Sequence, residues 1–115
     1  FDVITALRDG ADLVGARRHL GLAHSKDAFY AETEPERLPL ARRLRENLDL
    51  WAGIGTLNSE METAAVYAVA TALGARAGSV VMMWGDDASG ENPPSLEQLH
   101  RTGVEAVRLL ASQDG

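Results

Sequence analysis

At 115 residues, 45% of them apolar, the chain is sized for at most one small domain with a modest buried core, and its composition excludes a disordered segment. A formal charge of −6 argues against a nucleic-acid backbone as partner, because phosphates need local positive charge; the one basic cluster, Arg42-Arg43-Arg45, reads as a solvated helix face. With no Cys there is neither a disulfide framework nor a thiolate metal site, which is compatible with the cytoplasm, and no apolar run approaches the roughly 20 residues that span a bilayer.

The chain opens on Phe1-Asp2-Val3-Ile4 without an initiating Met, and this reads as a first helical turn rather than a signal peptide, so the expected start lies elsewhere. Val3, Ile4, Leu7, Ala11 and Val14 recur at helical spacing over 2–14, with Gly10 weakening the interior. Residues 18–23 read as a short strand through Leu20 and Leu22. Residues 25–38 are polar and contain Pro35, so a long loop is expected before Pro39 opens a helix to about Trp51 through Leu40, Leu44 and Leu48. Gly53 and Gly55 break that pattern, and 54–57 is a second strand. Ser59-x-x-Glu62 matches a capping box and opens a helix to about Leu73, with Gly74 as its stop. Residues 79–84 form an apolar run typical of a strand buried on both faces, 85–94 is loop, and Ser95-x-x-Gln98 opens a last helix through Leu96, Leu99, Val104, Val107 and Leu110.

Helices alternating with three strands imply an α/β arrangement with crossovers. Three short strands make a narrow sheet with an uncovered edge, which points to further strands outside this segment. In such sheets ligands gather beyond the carboxyl ends of the strands. Here those ends lead into 24–37, 59–62 and 85–92, the polar segments that follow apolar runs.

Several side chains in these segments can carry chemistry. Glu62 can accept hydrogen bonds from two vicinal hydroxyls of a sugar and steady a cationic sugar in a transition state, or it can be the reciprocal partner of a capping box. Met61 can pack on a sugar face or into a core, and Glu60 complements a helix dipole. Phe29 and Tyr30 lie in a polar stretch where an aromatic can stack on a flat base or anchor the loop. Arg37 offers a planar fork to a heterocycle carbonyl, or an ion pair to Glu34 or Glu36. Asp27 suits a turn. Asp86 and Asp87 can split their pKa values so that one keeps a proton for a leaving group, or serve turn geometry. His19, His24 and His100 lack metal-ligand spacing, so no metal is expected.

Ser59-Glu60-Met61-Glu62-Thr63-Ala64-Ala65 resembles the EMExA signature of the nucleoside phosphorylase family, of uridine phosphorylase and hexameric purine nucleoside phosphorylase type. Ser25-Lys26-Asp27-Ala28-Phe29-Tyr30 resembles that family's SxDxFY segment, and His24 to Pro39 looks most like the bacterial uridine phosphorylase branch. The resemblance covers nearly the whole chain, but only the C-terminal half of the family's domain. It implies a three-layer α/β/α fold, of which residues 1–115 would be the C-terminal portion with a mixed sheet and flanking helices. The N-terminal half, with its phosphate site, would be absent.

The resemblance further implies that Met61, Glu62 and Glu60 face the ribose, with Glu62 on its hydroxyls. Phe29 would stack on the base and Arg37 would reach a uracil carbonyl. Where those enzymes use a Gln on uracil, the comparable position here is Glu32, which accepts from a ring N–H but cannot donate to a carbonyl. Asp87, or Asp86 with a one-residue shift, stands where purine-specific relatives protonate the leaving base. The implied activity is a pentosyltransferase: nucleoside plus phosphate gives ribose 1-phosphate and free base. Phosphate is co-substrate and there is no cofactor. Uridine is favoured, with purine phosphorolysis, hydrolytic cleavage or non-catalytic nucleoside binding as alternatives. A cytoplasmic, dimer-based homo-oligomer (up to a hexamer) is implied for the intact protein, and the isolated segment is expected to be inactive.

Overall fold

The structure is a computed structural model that describes residues 1–83 and 95–115. Eight described elements follow in order: α1 (Asp2–Leu13), β1 (Leu22–Ser25), α2 (Phe29–Thr33), a 3-10 turn (Pro35–Arg37), α3 (Ala41–Gly53), β2 (Thr56–Glu60), α4 (Thr63–Ala72) and α5 (Leu96–Asp114). They form an α/β chain that divides into two compact units, one made of Phe1–Leu20 with Val69–Gly115 and the other of Gly21–Ala68.

In the first unit α1 packs on α5 along a seam of small residues. Ala6, Gly10 and Ala11 of α1 and Thr102 and Ala106 of α5 are its buried members. Gly10 is where the backbones meet: a Cβ there would stand 2.8 Å from Thr102 O and 3.1 Å from Ala106 N. The glycine that weakens α1 as an isolated helix is therefore what lets it dock. Of the larger apolar residues of α5, Leu96, Val104 and Val107 are exposed, while Leu99, Leu109 and Leu110 are half-buried.

The helix ends follow their sequence signals. Gly15 and Gly74 take positive φ and close α1 and α4 with paired bonds from the next two N–H groups, Gly15 to Asp12 and Ala16 to Ala11 in one case, Gly74 to Thr71 and Ala75 to Ala70 in the other. Ser95 caps α5 by accepting the Gln98 N–H at 3.3 Å. The Gln98 side chain does not return to Ser95. It donates to the carbonyls of Val14 and Gly15, satisfying the C-terminal end of α1.

In the second unit β1 and β2 form a two-stranded parallel sheet, with His24 opposite Ser59 and Ser25 opposite Glu60. Both strands lie two or more residues later than their expected starts, and the segment expected as a loop folds into α2 and the 3-10 turn. The mixed, three-stranded sheet expected from sequence is not seen among the described residues. Residues 79–83 carry no strand, and the described part of their unit holds no strand to ladder with. Nor is the run buried on both faces as expected, since Val80, Val81 and Met83 are exposed: an apolar run offers a surface to bury, but a strand also needs a hydrogen-bonding partner. α3 begins at Ala41 because Leu40 adopts a left-handed conformation, φ 72°, and interrupts the helix that Pro39 was expected to start.

Candidate functional site

Side chains alternate across a strand, so the register of β1 with β2 sorts the polar residues onto two faces. Ser25 and Glu60 meet on one face. His24, Lys26 and Ser59 gather around Glu32 on the other.

On the first face Glu60 ends β2 and caps α4. Its Oε2 accepts the backbone N–H groups of Glu62 at 2.7 Å and Thr63 at 2.6 Å, and its Oε1 accepts the hydroxyls of Ser25 and Thr63. Ser25 Oγ in turn accepts the Ala64 N–H at 3.1 Å. Three N–H groups at the start of α4 thus find acceptors in one carboxylate and one hydroxyl. Burial alone would raise the Glu60 pKa. The hydrogen bonds from Ser25, Thr63 and the backbone outweigh it and lower the carboxyl to about 2.

This corrects the capping box expected at Ser59-x-x-Glu62. Ser59 is still in the strand, and its hydroxyl donates to Glu32. Glu62 is exposed and accepts only its neighbour's N–H, from Met61 at 3.1 Å, among the bonds described. Met61 is likewise exposed at the mouth of α4.

On the second face Glu32, from α2, is held by the sheet. Lys26 donates to its Oε2, and so does the Ser59 hydroxyl. His24 Nδ1 is buried and faces Oε1 across 3.4 Å without the alignment of a hydrogen bond. Burial pushes the Glu32 pKa up, and the Lys26 and Ser59 bonds override it, so the carboxyl titrates below its ordinary value. The His24 ring stacks on Trp51 of α3, centroids 4.6 Å apart and planes 19° from parallel. Between α2, α3 and β1 lies a cleft of about 210 Å³ lined by His24, Lys26, Asp27, Glu32, Asn47 and Trp51 among others. Phe29, Met61 and Glu62 are not among its lining residues.

Phe29 and Tyr30 begin α2 and are both more than half exposed. Their rings meet edge to face at 5.5 Å. Lys26 Nζ lies 5.2 Å from the Phe29 centroid. Arg37 pairs with Glu34 at 2.6 Å and lies 5.5 Å from the Tyr30 centroid, so it has the ion pair considered from sequence together with an aromatic neighbour.

The structure thus brings Glu60 and Glu62 together at one helix start and ties Glu32 to the opposite face. Asp86 and Asp87 lie outside the described residues. Among the described residues no group of three or more His, Asp or Glu is placed to hold a metal ion, and no helix is long and apolar enough to cross a membrane. Sequence reasoning did not single out Ser25, Lys26, Thr63 or Trp51. The signal for the first two was the alternation His24-Ser25-Lys26, a strand with polar groups on both faces.

Against this geometry, comparison with known proteins gives a consistent result. The phosphorylase superfamily model matches residues 1–112. The chain is similar to the uridine phosphorylase of Treponema pallidum, 33% identical over 99% of this chain and 46% of that protein. It is 30% identical to the uridine phosphorylase of Salmonella typhimurium and 29% identical to that of Escherichia coli, each over 96% of this chain and 44% of the relative. The chain therefore spans less than half the length of these curated relatives.

Proposed function

This chain belongs to the phosphorylase superfamily, and on that footing we propose that it is the nucleoside-holding part of a nucleoside phosphorylase, with uridine as the favoured substrate. The observation that carries the reading is the division of labour between two carboxylates. Glu60 faces inward and caps α4, so Glu62, two residues on, stays exposed at the helix mouth beside Met61. A carboxylate in that position can accept from two vicinal ribose hydroxyls and offset positive charge that develops on the sugar as the glycosidic bond breaks. Glu60 fixes the turn that presents Met61 and Glu62.

In this reading Phe29 stacks on the base, Met61 packs on the sugar, and Arg37 approaches a base carbonyl. Phosphate attacks the anomeric carbon, the bond to the base nitrogen breaks, and ribose 1-phosphate and free base leave. The phosphate site belongs to the N-terminal half of the domain, outside this chain. The names of the similar proteins support uridine over a purine nucleoside. α4 supports the half-domain reading: Val66, Tyr67 and Val69 are all exposed on it, and a helix this apolar on several sides suits burial under further structure. A cytoplasmic homo-oligomer belongs to the same reading.

The test is product analysis on the full-length protein with uridine, thymidine, inosine and adenosine, with and without phosphate. Phosphate-dependent release of uracil is expected. Glu62→Ala is expected to lower kcat/KM by about 100-fold or more with the fold retained. Base release without phosphate would make the protein a hydrolase. Binding without release of any base would make it a non-catalytic module.

A further inference from the structure

We propose that Glu32 is a positioning residue for the base-stacking aromatic: together with Lys26 it pins the short helix that carries Phe29 to the sheet, and it does not read the base. The proposal rests on the reading above that Phe29 stacks on the base.

α2 has five residues, none of them buried. A single turn of that length is not stable by itself, and it has little apolar burial to hold it in place. Phe29 and Tyr30 are both largely exposed, so packing does not fix their rings. What fastens the helix is Glu32, whose carboxylate accepts from Lys26, the residue after β1, and from Ser59 of β2, and faces His24 of β1.

Lys26 and Glu32 are only 12% and 18% exposed, which sets their pair apart from the surface pair of Arg37 and Glu34 at 68% and 43%. A part-buried pair with a further hydrogen bond resists separation more than a solvated one, because either group left alone would be a desolvated charge. The Lys26 ammonium also lies within cation–π range of Phe29, three residues before Glu32 on the same helix. One cation thus touches both the anchor and the ring it positions. Glu32 Oε2 already accepts from Lys26 and Ser59, and Oε1 faces the buried His24 Nδ1, so a ring N–H of a base would have to compete with internal groups.

The test uses full-length protein carrying Glu32→Ala, Glu32→Gln, Lys26→Met, or Lys26→Met with Glu32→Ala. The first readout is amide hydrogen exchange, which needs no nucleoside. Glu32→Ala is expected to speed exchange over residues 29–34 while α3 keeps its protection.

The second readout is steady-state kinetics. A roughly tenfold rise in KM is expected for uridine, thymidine and inosine alike, with the KM for phosphate and kcat little changed. Glu32→Gln keeps an acceptor for Ser59 but loses the ion pair, so it should fall between wild type and Glu32→Ala. The double variant should be no worse than the more severe single one, because both remove the same tether. A loss confined to one base would show that Glu32 reads the base and would overturn the proposal. Unchanged exchange over 29–34 in Glu32→Ala would overturn it as well. If the wild-type protein neither binds nor cleaves nucleosides, the nucleoside reading fails on its own account, and a positioning role for Phe29 goes with it, while the exchange result still reports on the tether.

Discussion

Glu60 Oε2 accepts the backbone N–H of Thr63 at 2.6 Å, so the residue that ends β2 is also the cap of the helix that follows. Losing a cap side chain costs about 1 to 2 kcal/mol, and Glu60→Ala is expected to destabilise the full-length protein by that amount in urea unfolding. Ser59→Ala is expected to cost less. The reverse order would restore Ser59 as the cap.

The same carboxylate sets an acid limit. Its folded pKa of about 2 lies below the ordinary 4.5, so between those values the unfolded chain binds the proton and the folded chain does not. Stability from Glu60 is therefore complete above about pH 5 and is lost progressively as pH falls toward 2. Glu60→Gln should flatten that part of a stability-against-pH curve. Glu32, also depressed, contributes with the same sign.

Two glycines in the helices of the first unit should respond oppositely to the same change. Gly10→Ala would drive a Cβ against the backbone of α5, which cannot move aside as a side chain would, and a cost of about 1 to 3 kcal/mol is expected. In α5, a Cβ at Gly103 meets nothing within 4 Å among the described residues beyond its own helix backbone, and Gly103→Ala should stabilise by up to about 1 kcal/mol, the usual gain for this change in a helix. Denaturant midpoints of the two variants check both signs.

Leu40 is the one described non-glycine residue with positive φ, and the residue is 70% exposed, so packing offsets little of the strain. A left-handed L-residue costs about 1 to 2 kcal/mol, and Asn tolerates that region better. Leu40→Asn is expected to raise the thermal midpoint. A fall would mean that the Leu side chain holds the start of α3.

How much of this was legible in the chain depended on how local the cause was. α1, the Gly74 stop and the Ser95 cap rest on residues within one turn of each other, and the sequence carried them. The cap of α4 did not, because Ser59-x-x-Glu62 and Glu60 preceding Thr63 are equally good local patterns. What decides between them is the pairing of Ser59 with His24, thirty-five residues away, which draws Ser59 into the strand. The turns within 25–38 were hidden for a related reason: Glu32 is held in part by Ser59 of β2, and no spacing within the loop reveals that. The apolar run at 79–83 showed what the segment is made of, but not whether a neighbouring strand would be present. The roles proposed for Met61, Glu62, Phe29 and Arg37 came from a family likeness, and the structure adds the reason Glu62 is left open to solvent.

The small-residue seam between α1 and α5 joins the first helix of this chain to the last, while 21–68 is an uninterrupted stretch. During translation the earlier helix leaves the ribosome long before its mate has been made. The contacts within 21–68 are available once that stretch has emerged, whereas the seam must wait for Thr102 and Ala106. Proteolysis of stalled nascent chains would therefore find the middle of this sequence protected first and its opening helix protected last, the reverse of simple amino-to-carboxyl order.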